Sequence, residues 1–151
     1  MRIRTITKNT SQTRKIGEIL ASEILKSLSK GRGAFVIGLI GDLGGGKTTF
    51  LQGFAKGLNI KEKILSPTFV ILKRFKIKHH TFKEFYHIDC YRIKKSKDIL
   101  DLGLKEAVCD SGKIVAIEWA DKIKSIIFRK SIIIKFNFID DKTREIVFNI
   151  K

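Results

Sequence analysis

The amino-acid sequence predicts a single α/β domain over residues 1–151, with helices on a mixed parallel and antiparallel sheet and a C-terminal β-hairpin. Residues 34–40 are continuously apolar, as in a strand covered on both faces, and a glycine-rich loop and an amphipathic helix follow them. Alternation of apolar and polar side chains indicates antiparallel strands in two further places. These are residues 68–76 with 82–90, and residues 131–139 with 143–150.

The N-terminal quarter predicts a short strand and a long helix. Residues 2–7 favour the strand, and residues 12–29 repeat apolar side chains at helical spacing after the candidate caps Asn9, Thr10 and Ser11. We expect one buried face on this helix, formed by Ile16, Ile19, Leu20, Ile24 and Leu28. Residues 30–33, rich in glycine, end the helix before the apolar run 34–40, which is the predicted central strand.

The middle of the chain continues the alternation of strands and helices. Residues 49–56 predict a helix, and the polar residues 78–80 predict the turn between strands 68–76 and 82–90. Residues 96–108 have helical character but contain Gly103, which predicts a short helix or two half-helices. Residues 113–119 predict another buried strand, and residues 140–142 predict the turn of the terminal hairpin.

Composition predicts a globular protein and leaves the meaning of its charge open. Apolar residues make up 43% and charged residues 30% of the chain, which argues against a disordered protein. The formal charge of +16 is suited to a nucleic-acid partner, although a lysine-rich composition can equally reflect the base composition of the coding DNA. The longest apolar stretch is too short to span a bilayer, so we expect a cytoplasmic protein without a membrane partner.

Cysteine and histidine spacing favours no structural metal site. Cys90 and Cys109 form no CxxC pair, and no histidine cluster accompanies them, so we expect two buried reduced thiols. His79 and His80 lack acidic or cysteine neighbours at ligand spacing, which favours a solvated turn without chemistry.

The glycine-rich loop carries the strongest functional signal. Residues 41–48 (GDLGGGKT) match the pattern GxxxxGK[ST], between a strand and a helix as that pattern requires, and predict a three-layer P-loop NTPase-like fold that binds ATP with Mg²⁺. Lys47 is expected to reach the β and γ phosphates, Thr48 to bind Mg²⁺, and Thr49 to lie near the α phosphate. The rest of the predicted phosphate cradle consists of Asp42, Gly44, Gly45 and Gly46.

Two carboxylates at strand ends are candidates to hold the metal or orient water. Glu118 ends the apolar strand, although it could also be an exposed strand-end residue. Asp89 lies on one strand face with His87 and Tyr91, and it could instead pair with Arg92 or cap the next turn.

Two further features each leave a functional and a structural interpretation open. The segment Ser66-Pro67-Thr68 is a candidate switch that senses the γ phosphate, or a rigid turn. Trp119, the single tryptophan, is a candidate partner contact or a packing residue.

These motifs together resemble the TsaE family, whose members support the synthesis of threonylcarbamoyladenosine in tRNA. The resemblance covers nearly the whole chain and depends on residues 41–49, Ser66-Pro67-Thr68, the pattern HxDxYR at residues 87–92, and IEW at residues 117–119. It implies an ATPase that is weak alone, acts with the TsaD and TsaB proteins, and meets tRNA through that complex. By the same resemblance, Lys47 and Thr48 bind phosphate and magnesium, Glu118 contacts the metal, Asp89 and Trp119 are needed for function, and Thr10 and Thr143 approach the nucleotide base.

Two other functions are compatible with parts of the sequence. A small-molecule P-loop kinase shares the loop, but Arg74 and Arg92 are isolated and indicate no arginine-bearing lid. A basic ATP-binding, RNA-associated module agrees with the charge, but no aromatic RNA-binding signature or zinc finger accompanies it. A GTPase is disfavoured because no NKxD element is present to read guanine.

Overall fold

A computed structural model describes residues 1–27, 32–42, 44–65, 72–100, 102–123 and 131–150 of the chain. The predicted switch segment Ser66-Pro67-Thr68 and the first residues of the predicted strand 68–76 lie outside the described residues. The strands are β1 (Arg2–Thr7), β2 (Phe35–Ile40), β3 (Leu72–Lys76), β4 (Glu84–Asp89), β5 (Lys113–Glu118), β6 (Ser131–Phe138) and β7 (Arg144–Ile150). The helices are α1 (Thr10–Lys26), α2 (Lys47–Gly57), α3 (Ser96–Leu100) and α4 (Leu104–Cys109), and a 3₁₀ turn spans Ala120–Ile123.

The strands form one sheet in the order β1-β7-β6-β2-β5-β4-β3. The predicted central strand β2 lies in the middle and pairs in parallel with β5 and β6, while β4 pairs in parallel with β5. The outer strands β1, β7 and β3 are attached by antiparallel pairing. The sheet is therefore mixed, as the sequence predicts, and the predicted hairpin at the C-terminus is β6 with β7.

Helices cover both faces of the sheet, which gives the predicted three layers. Alternate residues of the strands pack on one face with α1 and α2, and on the other face with α3, α4 and the 3₁₀ turn. The predicted interruption at Gly103 is confirmed, because this residue has a φ of 91° and separates α3 from α4. His79, in the turn between β3 and β4, accepts a hydrogen bond at Nδ1 from the Thr81 amide at 3.1 Å.

Helix α1 begins where the caps predict, and most of its expected face packs on the core. Ile24 is buried, Ile16 and Leu20 are half-buried against the core, and Leu28 lies outside the described residues. Asn9 Oδ1 accepts a hydrogen bond from the Gln12 amide at 2.8 Å. Ile19 is 48% exposed, so its predicted place in the buried face is wrong. The buried residues of α1 are Thr13, Gly17, Ala21 and Ile24.

Small side chains on α1 and α2 let the two helix backbones approach closely. A Cβ atom on Gly17 would lie 2.1 Å from the Phe50 carbonyl oxygen, and one on Gly53 would lie 1.8 Å from the Arg14 carbonyl oxygen. The contact therefore depends on small residues in both helices. The face of α1 that packs on α2 is chosen by these small residues, and Ile19 faces solvent. An apolar pattern does not show such a close approach, so the sequence did not predict the exposure of Ile19.

The two cysteines differ in their surroundings. Cys90 is buried as expected, and desolvation by that burial raises the pKa of its thiol to about 12. Cys109, which ends α4, is exposed, so the expectation that it is buried is wrong. The buried residues of α4 are Leu104 and Ala107, and Cys109 points away from that face. Within the described ranges, no helix is both long and apolar enough to cross a membrane.

Candidate nucleotide-binding site

The glycine loop turns the chain sharply from β2 into α2. Gly41, Gly44 and Gly46 have φ angles of 152°, 77° and 100°, in the region that side chains other than glycine rarely adopt. Gly46 is the N-terminal cap of α2, and the Gly45 amide donates to the Asp42 carbonyl oxygen at 3.0 Å. Backbone amides at the start of α2 therefore face the hollow of the loop, where the helix dipole favours an anion.

Lys47 folds back into this hollow. Its Nζ donates to the carbonyl oxygens of Gly41 at 2.5 Å and Asp42 at 2.9 Å, and lies 4.4 Å from the centroid of the Trp119 ring. Desolvation by burial lowers the pKa of Lys47, while the nearby carboxylates, Glu118 foremost, act in the opposite direction. The loop thus holds its own ammonium group where phosphate oxygens are expected.

The two candidate carboxylates lie side by side at the carboxyl edge of the sheet. Parallel pairing of β4 with β5 places Asp89 opposite Glu118. Glu118 is 2% exposed and Asp89 7% exposed, so the alternative of an exposed strand-end glutamate is wrong. Asp89 Oδ1 accepts from the Tyr91 amide at 2.9 Å, which is the turn-capping contact considered from the sequence.

Glu118 connects the loop helix to the strand β4. Its Oε1 accepts a hydrogen bond from Thr48 Oγ1 at 3.3 Å, and its Oε2 lies 2.6 Å from His87 Nε2. The sequence placed His87 on the same strand face as Asp89 but assigned it no role. The available signal was a histidine within a largely apolar predicted strand, two residues before Asp89 and therefore on the same strand face.

Trp119 has an unusual backbone conformation for a large side chain. It follows β5 directly and has a φ of 57°, in the left-handed region. Its ring lies 5.1 Å from that of Tyr91 and faces Lys47. Backbone strain of this kind is concentrated at functional sites, which agrees with the functional interpretation of this residue.

The N-terminal end of α1 and the terminal hairpin both reach the glycine loop. Arg144 Nε donates to the Gly44 carbonyl oxygen at 3.1 Å. A Cβ atom on Gly46 would lie 3.6 Å from Thr13 Cγ2 and 3.8 Å from Arg144 Cγ. Sequence reasoning named Thr10 and Thr143 in these two regions. It missed Thr13, which lies beside the loop, and Arg144, which donates a hydrogen bond to it.

The remaining predicted residues are spread around the loop. Asp42 has an exposed side chain, Gly45 is buried, and Thr49 is half-buried in the first turn of α2. Thr10 is the exposed first residue of α1, and Thr143 lies in the hairpin turn, where its amide donates to Asp140 Oδ1 at 2.8 Å.

A cavity of about 330 Å³ adjoins the glycine loop. Gly41 and Asp42 line it from the loop, Trp119 and Asp121 from the segment after β5, and Lys135 and Asn137 from β6. Asp121 Oδ1 is buried and has no hydrogen-bond partner within the described part of the chain. The space next to the loop therefore has both polar groups and the aromatic side chains of Trp119, Phe136 and Phe138 in its lining.

A parallel strand, a glycine loop with lysine and threonine, and a following helix define the P-loop nucleotide-binding class of proteins. The chain belongs to the TsaE family. Residues 7–146 match the family described as "Threonylcarbamoyl adenosine biosynthesis protein TsaE".

Individual relatives agree with this membership. The chain is 37% identical over 111 residues to the tRNA threonylcarbamoyladenosine biosynthesis protein TsaE of Treponema pallidum, a match that covers 74% of this chain and 78% of that protein. It is also 37% identical over 131 residues to the protein of the same name from Bacillus subtilis, covering 83% and 79%. The crystal structure of Bacillus subtilis YdiB is similar with a TM-score of 0.76 and 30% identity, over 99% of this chain and 86% of that one.

Proposed function

We propose that this protein binds and hydrolyses ATP in support of threonylcarbamoyladenosine formation in tRNA. The names of its relatives in Treponema pallidum and Bacillus subtilis support the pathway. One structural observation supports the proposed ATPase activity. Lys47, Thr48 and Glu118 meet in one hollow at the carboxyl edge of the sheet. This arrangement favours phosphoryl chemistry over a role in RNA binding alone, because positioning and charge are most of what phosphoryl transfer requires.

ATP is proposed to enter with its phosphates in the loop of residues 41–48. Lys47 exchanges the carbonyl oxygens of Gly41 and Asp42 for β and γ phosphate oxygens, which are stronger partners for an ammonium group. Thr49 and the backbone of Gly44, Gly45 and Gly46 complete the cradle. Thr10 and Thr143 are proposed to approach the base, with Thr13 and Arg144 beside them at the loop.

The side chains at the loop also fit Mg²⁺. Thr48 Oγ1 and Glu118 Oε1 are oxygen donors of the type that Mg²⁺ prefers, and their separation of 3.3 Å places both on the same side of the hollow. When bound there, Mg²⁺ neutralises charge on the phosphate oxygens. Glu118 and Thr48 would hold it, and the buried carboxylate of Asp89 lies beside them as a candidate to orient water.

Activity of the isolated protein is proposed to be weak and to depend on the partners TsaD and TsaB, in the cytoplasm, with tRNA reached through that complex. The exposed Tyr91 ring beside Trp119 supports a partner contact next to the nucleotide, because 41% of Tyr91 is accessible at the edge of the hollow. Asp89 and Trp119 are accordingly proposed as residues through which nucleotide state and partner binding influence each other.

The test is ATP turnover of the chain alone and with purified TsaD and TsaB. Lys47→Ala and Glu118→Ala should each abolish turnover, while Lys56→Ala, an exposed lysine on the same helix, should leave it unchanged. Binding of TsaD and TsaB should raise turnover of the unmodified protein. Absence of both partner binding and any change in turnover would refute the accessory role, even if ATP still binds the loop.

A further inference from the structure

His87 and Glu118 form a buried pair behind the glycine loop. They are 1% and 2% exposed, and His87 Nε2 lies 2.6 Å from Glu118 Oε2. A buried imidazole needs a hydrogen-bond partner, since leaving its polar nitrogen unpaired costs free energy. Here that partner is the same carboxylate that reaches Thr48.

The sheet register explains why these two residues meet. β4 and β5 pair in parallel with His87 opposite Ala116, two residues before Glu118. Side chains two residues apart point to the same face of a strand, so the imidazole reaches along that face to the carboxylate. Both residues lie within strands of the core, where buried neighbours restrict their rotamers.

The two oxygens of Glu118 have separate partners. The last torsion of a glutamate side chain is broad, so hydrogen bonds decide how its carboxylate is turned. An ionised carboxylate only accepts hydrogen bonds, so a contact with His87 requires the proton on Nε2. Oε2 is then held by the histidine, and Oε1 is left facing Thr48.

We infer that His87 is a positioning residue, which donates to Glu118 Oε2 and so directs Oε1 toward Thr48 and the metal that both are proposed to hold. This inference rests on the proposed function of Thr48 and Glu118. Outer partners of metal-binding side chains contribute about 10- to 100-fold to metal affinity. A histidine that only fills space in the core would leave metal affinity unchanged, and this difference separates the two roles.

A matched pair of variants isolates the hydrogen bond. His87→Leu removes the donor and fills the buried position with an apolar side chain, whereas His87→Gln keeps an N–H donor at similar reach. Mn²⁺ binding to the ADP-loaded protein, followed by electron paramagnetic resonance, should weaken about 10- to 100-fold in His87→Leu and stay close to that of the unmodified protein in His87→Gln. ADP affinity measured in EDTA should be unchanged in both variants, because the phosphate loop is intact.

A double-mutant cycle tests whether His87 acts through Glu118. In a Glu118→Ala background, His87→Leu should cause no further loss of Mn²⁺ affinity. If Glu118→Ala weakens Mn²⁺ binding and His87→Leu does not, the positioning role is overturned and the metal role of Glu118 stands. If neither variant weakens it, the metal role fails and the positioning role fails with it. Equal losses in folded His87→Leu and His87→Gln also overturn the positioning role.

The position of the proton on the His87 ring can be measured in the unmodified protein. The chain contains three histidines, so the side-chain ¹⁵N spectrum of His87 can be assigned from the signals absent in His87→Gln. We expect a proton on Nε2. A ring without that proton excludes donation to Glu118 and overturns the inference.

Discussion

Thr48 shows how much of the site depends on one hydroxyl group. It is the second residue of α2, and its Oγ1 reaches Glu118 Oε1 at 3.3 Å, although the two residues are 70 positions apart in the chain. Neighbouring Lys47 points to the loop carbonyls instead. We propose that these consecutive residues at the start of α2 have different roles, with Lys47 binding phosphate and Thr48 binding the metal.

A pair of Thr48 variants tests this division. Thr48→Val keeps the shape of the side chain and removes its oxygen, so the effect of Mg²⁺ on ATP affinity should fall by at least about tenfold, since even outer partners of metal ligands contribute that much. Thr48→Ser keeps the oxygen and should retain the effect. ATP binding by calorimetry, with Mg²⁺ and with EDTA, measures it, and equal Mg²⁺ dependence in Thr48→Val and the unmodified protein would contradict the role of Thr48.

The packing of α1 against α2 supports the glycine loop, because α2 begins directly after that loop. Gly53 of α2 packs against the backbone of α1, where a Cβ atom would lie 1.8 Å from the Arg14 carbonyl oxygen. Ala21 and Gly17 provide the matching small residues on α1. Helix α2 is therefore held against α1 by a backbone contact in its second turn, which leaves no space for an added side-chain atom.

Gly53→Ala should destabilise the protein despite the better helix propensity of alanine. Alanine favours an exposed helix by about 1 kcal/mol over glycine. Overpacking against a backbone costs about 1–3 kcal/mol and often more, and at 1.8 Å the helices must move apart. Urea unfolding should show a net loss, with Lys56→Ala on the exposed side of α2 as the control. An increase in the free energy of unfolding for Gly53→Ala would disprove the close contact.

The terminal strands are joined by a polar contact whose contribution to stability should depend on pH. The Glu145 carboxylate accepts from Asn137 Nδ2 at 2.8 Å and pairs with Arg4, and these partners, the Asn137 hydrogen bond foremost, hold its pKa below the ordinary 4.5. A carboxyl group with a lowered pKa in the folded state adds stability above its unfolded pKa and loses it as the pH falls through the folded value.

The Glu145→Gln variant should reveal this dependence. Above pH 4.5 the unmodified protein should melt at a higher temperature than the variant, and the difference should shrink as the pH falls below that value. Melting curves across this range measure it, with Glu62→Gln, an exposed glutamate in the loop after α2, as the control. A difference that is constant with pH would show that the ionised form of Glu145 gives no stability.

The whole molecule is organised around one sheet that joins two cores. Residues of the same strands, such as Val36 and Ile37 in β2, belong to opposite cores, so neither core is complete without the shared strands. We therefore propose that residues 1–151 form a single domain. Its calorimetric and van't Hoff enthalpies of unfolding should be equal. Two resolved transitions would indicate independent units instead.

The net charge of +16 is a property of the whole molecule. If it serves contact with tRNA, the affinity of the chain for tRNA should fall by about 10³-fold or more between 50 and 200 mM salt, because cations released from phosphates drive such binding. Filter binding or fluorescence anisotropy measures this, with single-stranded DNA as a comparison for sequence-blind binding. A lack of tRNA binding even at low salt would favour the compositional origin of the charge.

The sequence alone determined what depends on local patterns. Strand and helix periodicity predicted the mixed three-layer fold, and Gly103 predicted the break between α3 and α4. The glycine loop indicated where phosphate is proposed to bind. These signals can be read because side-chain alternation, helical spacing and turn chemistry act between residues close in the chain. The candidates Lys47, Thr48 and Glu118 follow from such motifs, and the structure brings their side chains into one hollow.

Only the tertiary structure decided which distant residues touch. The His87 contact with Glu118 spans 31 positions, and that of Arg144 with Gly44 spans 100, so both depend on strand order and register. The exposure of Ile19 and Cys109 likewise reflects how α1 and α4 pack, which their apolar patterns do not specify. Contacts of this range are fixed by the packing of whole elements, since a shift of one residue in a strand would turn His87 away from Glu118.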